Sequence, residues 1–171
     1  MSWIETGTQR LDAALGGGVL RGAITVVTGE PGCGKTALAL EAAATALGMG
    51  RAVALVGSGD SPGRAPAGVW LGRHEGCQEA LRMAGLLAVS GAFDLVVVDE
   101  VAEVDAASLR RLRHCCGEGG CAVLIVARAA LFGRTPLPLS LAAAARVDLQ
   151  RDGRARIVSS GETRWCGLVP R

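Results

Sequence analysis

A chain of 171 residues with net charge +2 and 50% hydrophobic residues has the size and apolar content of a folded domain, not of a disordered segment. No stretch reaches the roughly 18 charge-free apolar residues of a membrane span, and Glu5 with no apolar run around it offers no secretory signal. Aromatics make up 3% and tyrosine is absent, while 29 alanines and 25 glycines leave Ala, Val and Leu to build the core.

In chain order, residues 23–28 form a short β-branched run that enters the glycine-rich segment 29–34. Residues 35–48 read as an alanine-rich helix ending at Gly48 and Gly50. A second strand over 52–56 leads into a Gly/Ser/Pro-rich loop through Gly72. A helix is predicted over 79–90, then a fully apolar strand over 94–99. Residues 105–113 predict a helix that Asp105 caps. A fourth apolar strand covers 121–127. After an irregular stretch, strands over 146–150 and 155–159 flank Asp152-Gly153, a hairpin signal. Continuous apolar strands alternating with helices predict an α/β fold, a mainly parallel sheet covered on both faces with a C-terminal antiparallel hairpin at one edge.

No repeat or linker divides the chain, so residues 1–167 are expected to form a single domain. Leu168-Val169-Pro170-Arg171 matches the left half of a thrombin cleavage site and is read as an expression scar. The six cysteines (33, 77, 115, 116, 121 and 166) form no CxxC pair and read as reduced thiols of a cytoplasmic protein. His114, Cys115, Cys116 and Cys121 make a poor zinc pattern, with adjacent cysteines followed by a gap.

Gly29-Glu30-Pro31-Gly32-Cys33-Gly34-Lys35-Thr36 satisfies G-x-x-x-x-G-K-[ST], with a strand before it and a helix after it. Glycines let the backbone curl so that successive N–H groups face phosphate oxygens, and the helix starting at Lys35 adds its positive end. Lys35 is suited to the β- and γ-phosphates of ATP, and the Thr36 hydroxyl to Mg²⁺. Of 18 basic residues 17 are arginine, and the one lysine stands in this loop. The apolar strand ends in Asp99, a carboxylate beside the loop that can hold the magnesium through water. Glu100 follows it as the first candidate for the catalytic base, against the plainer reading of a solvated strand-end carboxylate.

The flanking residues resemble the RecA family of recombinases and their paralogues. Ile4-Glu-Thr-Gly7 with Leu11-Asp-Ala-Ala-Leu-Gly-Gly-Gly18 is similar to the family's opening motif. Ser90-Gly-Ala-Phe-Asp94 through Asp99 is similar to the approach to its Walker B aspartate. Val123-Leu-Ile-Val-Ala127 resembles its sensor strand, and Ala145-Arg-Val-Asp-Leu149 with Ser160-Gly-Glu-Thr-Arg164 its closing strands. The resemblance implies a RecA-like ATPase from about Ile4 to Arg164.

The departures shape the expectation. Where bacterial recombinases carry a catalytic glutamate, Gly57-Ser58-Gly59-Asp60 offers Asp60 as a displaced substitute. Arg128 replaces the sensor glutamine and is a candidate γ-phosphate sensor or finger for a neighbour. The first DNA-binding loop is nearly absent between Val101 and Arg110, and the second is cut to about 129–139. No polymerisation segment is seen ahead of Trp3.

These features predict a slowly hydrolysing accessory or regulator in DNA recombination or repair, with weak self-association. Its expected partners are single-stranded DNA, held by Arg128, Phe132 and Arg134, and a recombinase or repair polymerase factor. The competing reading is an ATP-dependent switch that regulates a protein partner without touching DNA. The modest net charge of +2 leaves both open.

Overall fold

In the computed structural model the described residues are 2–58, 65–102, 104–128 and 143–168. The chain starts with β1 (Trp3–Ile4), α1 (Gln9–Leu15) and β2 (Val19–Leu20), and β1 and β2 pair as an antiparallel ribbon. Then follow β3 (Ile24–Gly29), α2 (Lys35–Gly48), β4 (Val53–Gly57), β5 (Trp70–Arg73), α3 (Cys77–Val89) and β6 (Leu95–Val101). The remainder is α4 (Ala106–Gly119), β7 (Ala122–Ala127), β8 (Ala145–Leu149), β9 (Arg154–Ser159) and β10 (Glu162–Gly167). The main sheet has the order β10-β9-β8-β3-β7-β6-β4-β5. From β8 to β5 neighbouring strands run parallel, and β9 and β10 add antiparallel pairs.

The unbroken apolar runs are explained by two cores, one on each face. Val53, Leu55, Leu95, Val97, Leu124 and Val126 pack under α2. Their alternating neighbours Ala54, Val56, Val96, Val98, Val123 and Ile125 pack under α3 and α4. Helix α2 lays Ala39, Ala42, Ala43 and Ala46 on the sheet, so small side chains let its backbone come close. Each fully buried Leu, Ile or Val adds about 1.5–3 kcal/mol of apolar burial, which replaces the aromatic core this composition lacks. Leu11 and Val19 are buried in the first of these cores, so the 11–20 segment supplies packing there.

Two expectations are corrected and one is borne out. The loop read through Gly72 holds β5, an edge strand parallel to β4, whose short Trp-Leu-Gly-Arg run is hidden by the flanking glycines and prolines. The expected hairpin is present, with β8 and β9 antiparallel across Asp152-Gly153; β8 also runs parallel to β3, so β9 alone runs against the sheet and β10, antiparallel to β9, returns to its direction. Helix α4 continues past residue 113 to Gly119, because Leu109, Leu112 and Cys116 keep one buried stripe beneath an arginine-rich outer face.

Candidate functional site

The strand order places β3 between β7 and β8, so the loop leaving β3 opens at the carboxyl edge of the sheet. Gly29, Gly32 and Gly34 have φ of 147°, 78° and 95°, a backbone that L side chains rarely adopt. At Gly29 a Cβ would also lie 2.5 Å from the Leu149 carbonyl oxygen and 2.7 Å from Cys33 Sγ, so glycine is required there. Gly34 is the N-cap of α2 and no side chain caps it, which leaves the first N–H groups of the helix for an anion. Lys35 Nζ donates to the carbonyl oxygens of Gly29 at 2.8 Å and Glu30 at 2.9 Å, so the ammonium folds back over the loop. Glu30, Pro31 and Gly32 are exposed and Cys33 is half-buried against the core under α2.

Asp99, at the end of the apolar part of β6, is only 2% exposed. Its Oδ1 accepts from Thr36 Oγ1 at 3.2 Å and from the Glu100 N–H at 3.0 Å. A hydroxyl and a carboxylate meeting at the mouth of a phosphate-binding loop are hard oxygen donors of the kind Mg²⁺ takes alongside waters and phosphate oxygens. The donor set fits the cation, and the curled glycine backbone fits a triphosphate.

Glu100 is the one residue of β6 that is exposed, and its φ is +60°. The β6–β7 register slips between Val98 and Val101, so a bulge turns Glu100 out of the ladder. It lines a cleft of about 530 Å³ together with Gly32, Gly34, Lys35, Thr36 and Arg128. Arg128 follows β7, is exposed, and is anchored by its N–H to the Val101 carbonyl at 2.8 Å. The loop, Glu100 and Arg128 are thus brought together, with Asp99 beneath Thr36. Asp60, Phe132 and Arg134 lie outside the described residues.

On the other flank of the loop is a second cleft of about 570 Å³ that was not read from the sequence. Gly29, Glu30, Asp148, Gln150, Arg151 and Trp165 are among its walls. Asp148, Arg156 and Trp165 stand in one row across β8, β9 and β10, where Asp148 Oδ2 accepts from Arg156 at 2.6 Å. Arg151 pairs with Glu30 at 2.7 Å and ties the β8–β9 turn to the loop. The only sequence signal was the Asp152-Gly153 turn, which marks a hairpin but not what it folds against.

A loop of this sequence and shape at the carboxyl edge of a mainly parallel sheet, with a buried aspartate on β6, one strand removed from β3, defines a P-loop nucleotide-binding domain. The KaiC ATPase family matches residues 4–64. The chain is similar to the RecA proteins of Chlamydia felis, at 38% identity over 111 residues, and of Streptomyces coelicolor and Geobacter sulfurreducens, each at 39% over 108. These alignments take in 60%, 58% and 58% of this chain, and 32%, 29% and 32% of the respective relatives. The chain therefore spans about a third of the length of the relatives it matches. The matches, with the sheet order and the loop, make the chain similar to RecA-family P-loop ATPases over this part of its length. Among the described residues no helix is long and apolar enough to cross a membrane.

Proposed function

We propose that this chain binds ATP with Mg²⁺ and hydrolyses it slowly, as an accessory or regulator in DNA recombination or repair. In this reading Lys35 and the N–H groups of residues 29–36 hold the phosphates, and Thr36 and Asp99 hold the cation, Asp99 through water. Bound Mg²⁺ supplies charge neutralisation at the phosphates. Glu100 orients the attacking water and takes its proton, and Arg128 stabilises charge at the far side of the cleft. The observation that carries the proposal is the outward turn of Glu100. A non-glycine residue at φ +60°, in a bulge, facing the cleft that Lys35 and Arg128 also line, is a costly local conformation of the kind found at working sites.

Single-stranded DNA is proposed to lie along Arg128, Phe132 and Arg134, with a recombinase or repair polymerase factor as protein partner. The similarity to RecA proteins supports that direction. The KaiC match favours the second reading, an ATP-dependent switch acting on a protein without DNA. ATP hydrolysis measured with and without single-stranded DNA separates them. Stimulation that fades with salt supports the DNA-linked role; a rate unchanged by DNA supports the switch.

A further inference from the structure

We propose that the outer face of α3 and α4 is a docking groove for a helix of another protein that carries an apolar ridge flanked by carboxylates. The groove encloses about 280 Å³ and its walls are mostly apolar. It does not depend on the phosphate-binding loop, whose residues form none of its walls.

Helix α3 presents two stripes. It turns Ala80, Leu81, Ala84 and Ala88 to the sheet, and its Arg82, Leu86 and Val89 fall at i, i+4 and i+7, a second line along the outside, with the buried Gly85 between them at the groove floor. Helix α4 lends Ser108, Arg111 and Cys115 to the same groove, with the buried Leu112 at its floor. Leu86 and Val89 are 58% and 42% exposed, although nothing in the fold requires large aliphatic side chains at those positions. Gly85 deepens the groove: a Cβ there would only touch Cys115 Sγ at 3.6 Å and Leu112 Cδ1 at 4.0 Å. From Gln78 to Val89 the groove follows α3 for about 16 Å at 1.5 Å per residue, or three turns of a docked helix.

Charge selects the occupant. Arg82 and Arg111 line the groove, and Arg110 and Arg113 continue the basic face of α4; none of the four is ion-paired among the described residues. The carboxylates nearby are engaged locally. Glu79 accepts from the Glu75 N–H, Asp105 caps α4 through Ser108, and Glu118 pairs with His114. An incoming helix with acidic flanks satisfies cations that the fold leaves open, whereas a second copy of this face brings arginine against arginine. The apolar floor favours a protein ridge over a phosphate backbone.

The test uses the whole chain and a fluorescein-labelled, lactam-stapled peptide of 16 residues, with leucines at i, i+4 and i+7 and glutamates on both sides. A twin with lysines in place of the glutamates and a labelled oligo-dT are the comparisons. The acidic peptide is expected to bind at least about tenfold more tightly than the lysine twin, with affinity falling as salt rises. It should slow alkylation of Cys115, lose binding with Gly85→Leu, and lose its preference over the twin with Arg82→Glu/Arg111→Glu. Circular dichroism melting checks that the variants fold. Should Gly85→Leu not fold, the double charge variant and the Cys115 protection decide. Equal binding of both peptides, binding indifferent to the variants, no binding, or displacement of the acidic peptide by oligo-dT would each overturn the proposal.

Discussion

Glu100 and Lys35 line one cleft, and their chemistry predicts different losses. Among the described residues Lys35 Nζ donates to carbonyl oxygens of its own loop, so Lys35→Ala should remove ATP·Mg²⁺ binding while leaving the melting temperature nearly unchanged. Titration calorimetry that still finds micromolar ATP affinity in the variant would contradict the phosphate role. Glu100→Gln keeps the shape of an exposed side chain and removes its basicity. ATP binding should survive and turnover should fall by about 10²–10⁴, the range for losing a general base. Asp60→Asn is the control: if it causes that loss and Glu100→Gln does not, the base is on the segment after β4. The loop and Asp99 were readable from sequence because their chemistry is fixed by residue type at short spacing. The turn of Glu100 was not, because a bulge in β6 depends on its pairing with β7 and leaves no mark in composition.

At the scale of an element, α4 shows how a local rule and a tertiary one divide the outcome. Asp105 Oδ1 accepts from the Ser108 N–H at 2.8 Å and Oδ2 from the Ser108 hydroxyl at 2.6 Å, the cap expected from sequence. These bonds favour the carboxylate and hold the Asp105 pKa below its ordinary 3.8. A folded pKa below the unfolded one means that the ionised cap stabilises above pH 3.8 and that this contribution fades as pH falls through the folded value. Asp105→Ala should therefore melt at a lower temperature than the parent at pH 7, and the gap should shrink in acid; a gap constant down to pH 2.5 would deny the charged cap. The far end of α4 was missed because its outer residues are polar and its length depends on the buried Leu112 and Cys116. Burial also pushes the thiols of Cys116 and Cys121 up to about 12, so both stay protonated at neutral pH. Strand β5 was hidden for a related reason: its pairing with β4 outweighs a glycine-rich local sequence.

For the whole molecule, the question is what completes the cleft. Phosphoryl transfer develops charge that ATPases of this kind offset with a basic group, often from a neighbouring subunit. The only lysine is Lys35, so any further cation contributed by this chain is an arginine. Arg128 is exposed at the cleft, with its backbone tied to Val101, which suits either its own site or that of a neighbour. Among the described residues Arg128 and Lys35 are the cations that line that cleft, so the proposed reading expects the site to be under-supplied when the chain is alone. The isolated chain is therefore expected to be a monomer or loose dimer that binds ATP and turns it over well below ~1 s⁻¹, the low end for typical enzymes. Bringing subunits together on DNA, or adding a partner protein that supplies the cation, should raise the rate. Arg128→Ala should abolish that rise while sparing ATP binding. Light scattering with ATP, alone and with single-stranded DNA, measures assembly, and phosphate release in the same samples measures turnover. Long filaments and brisk hydrolysis by the purified chain alone would mean that the site is already complete, and that the chain works as a recombinase rather than beside one.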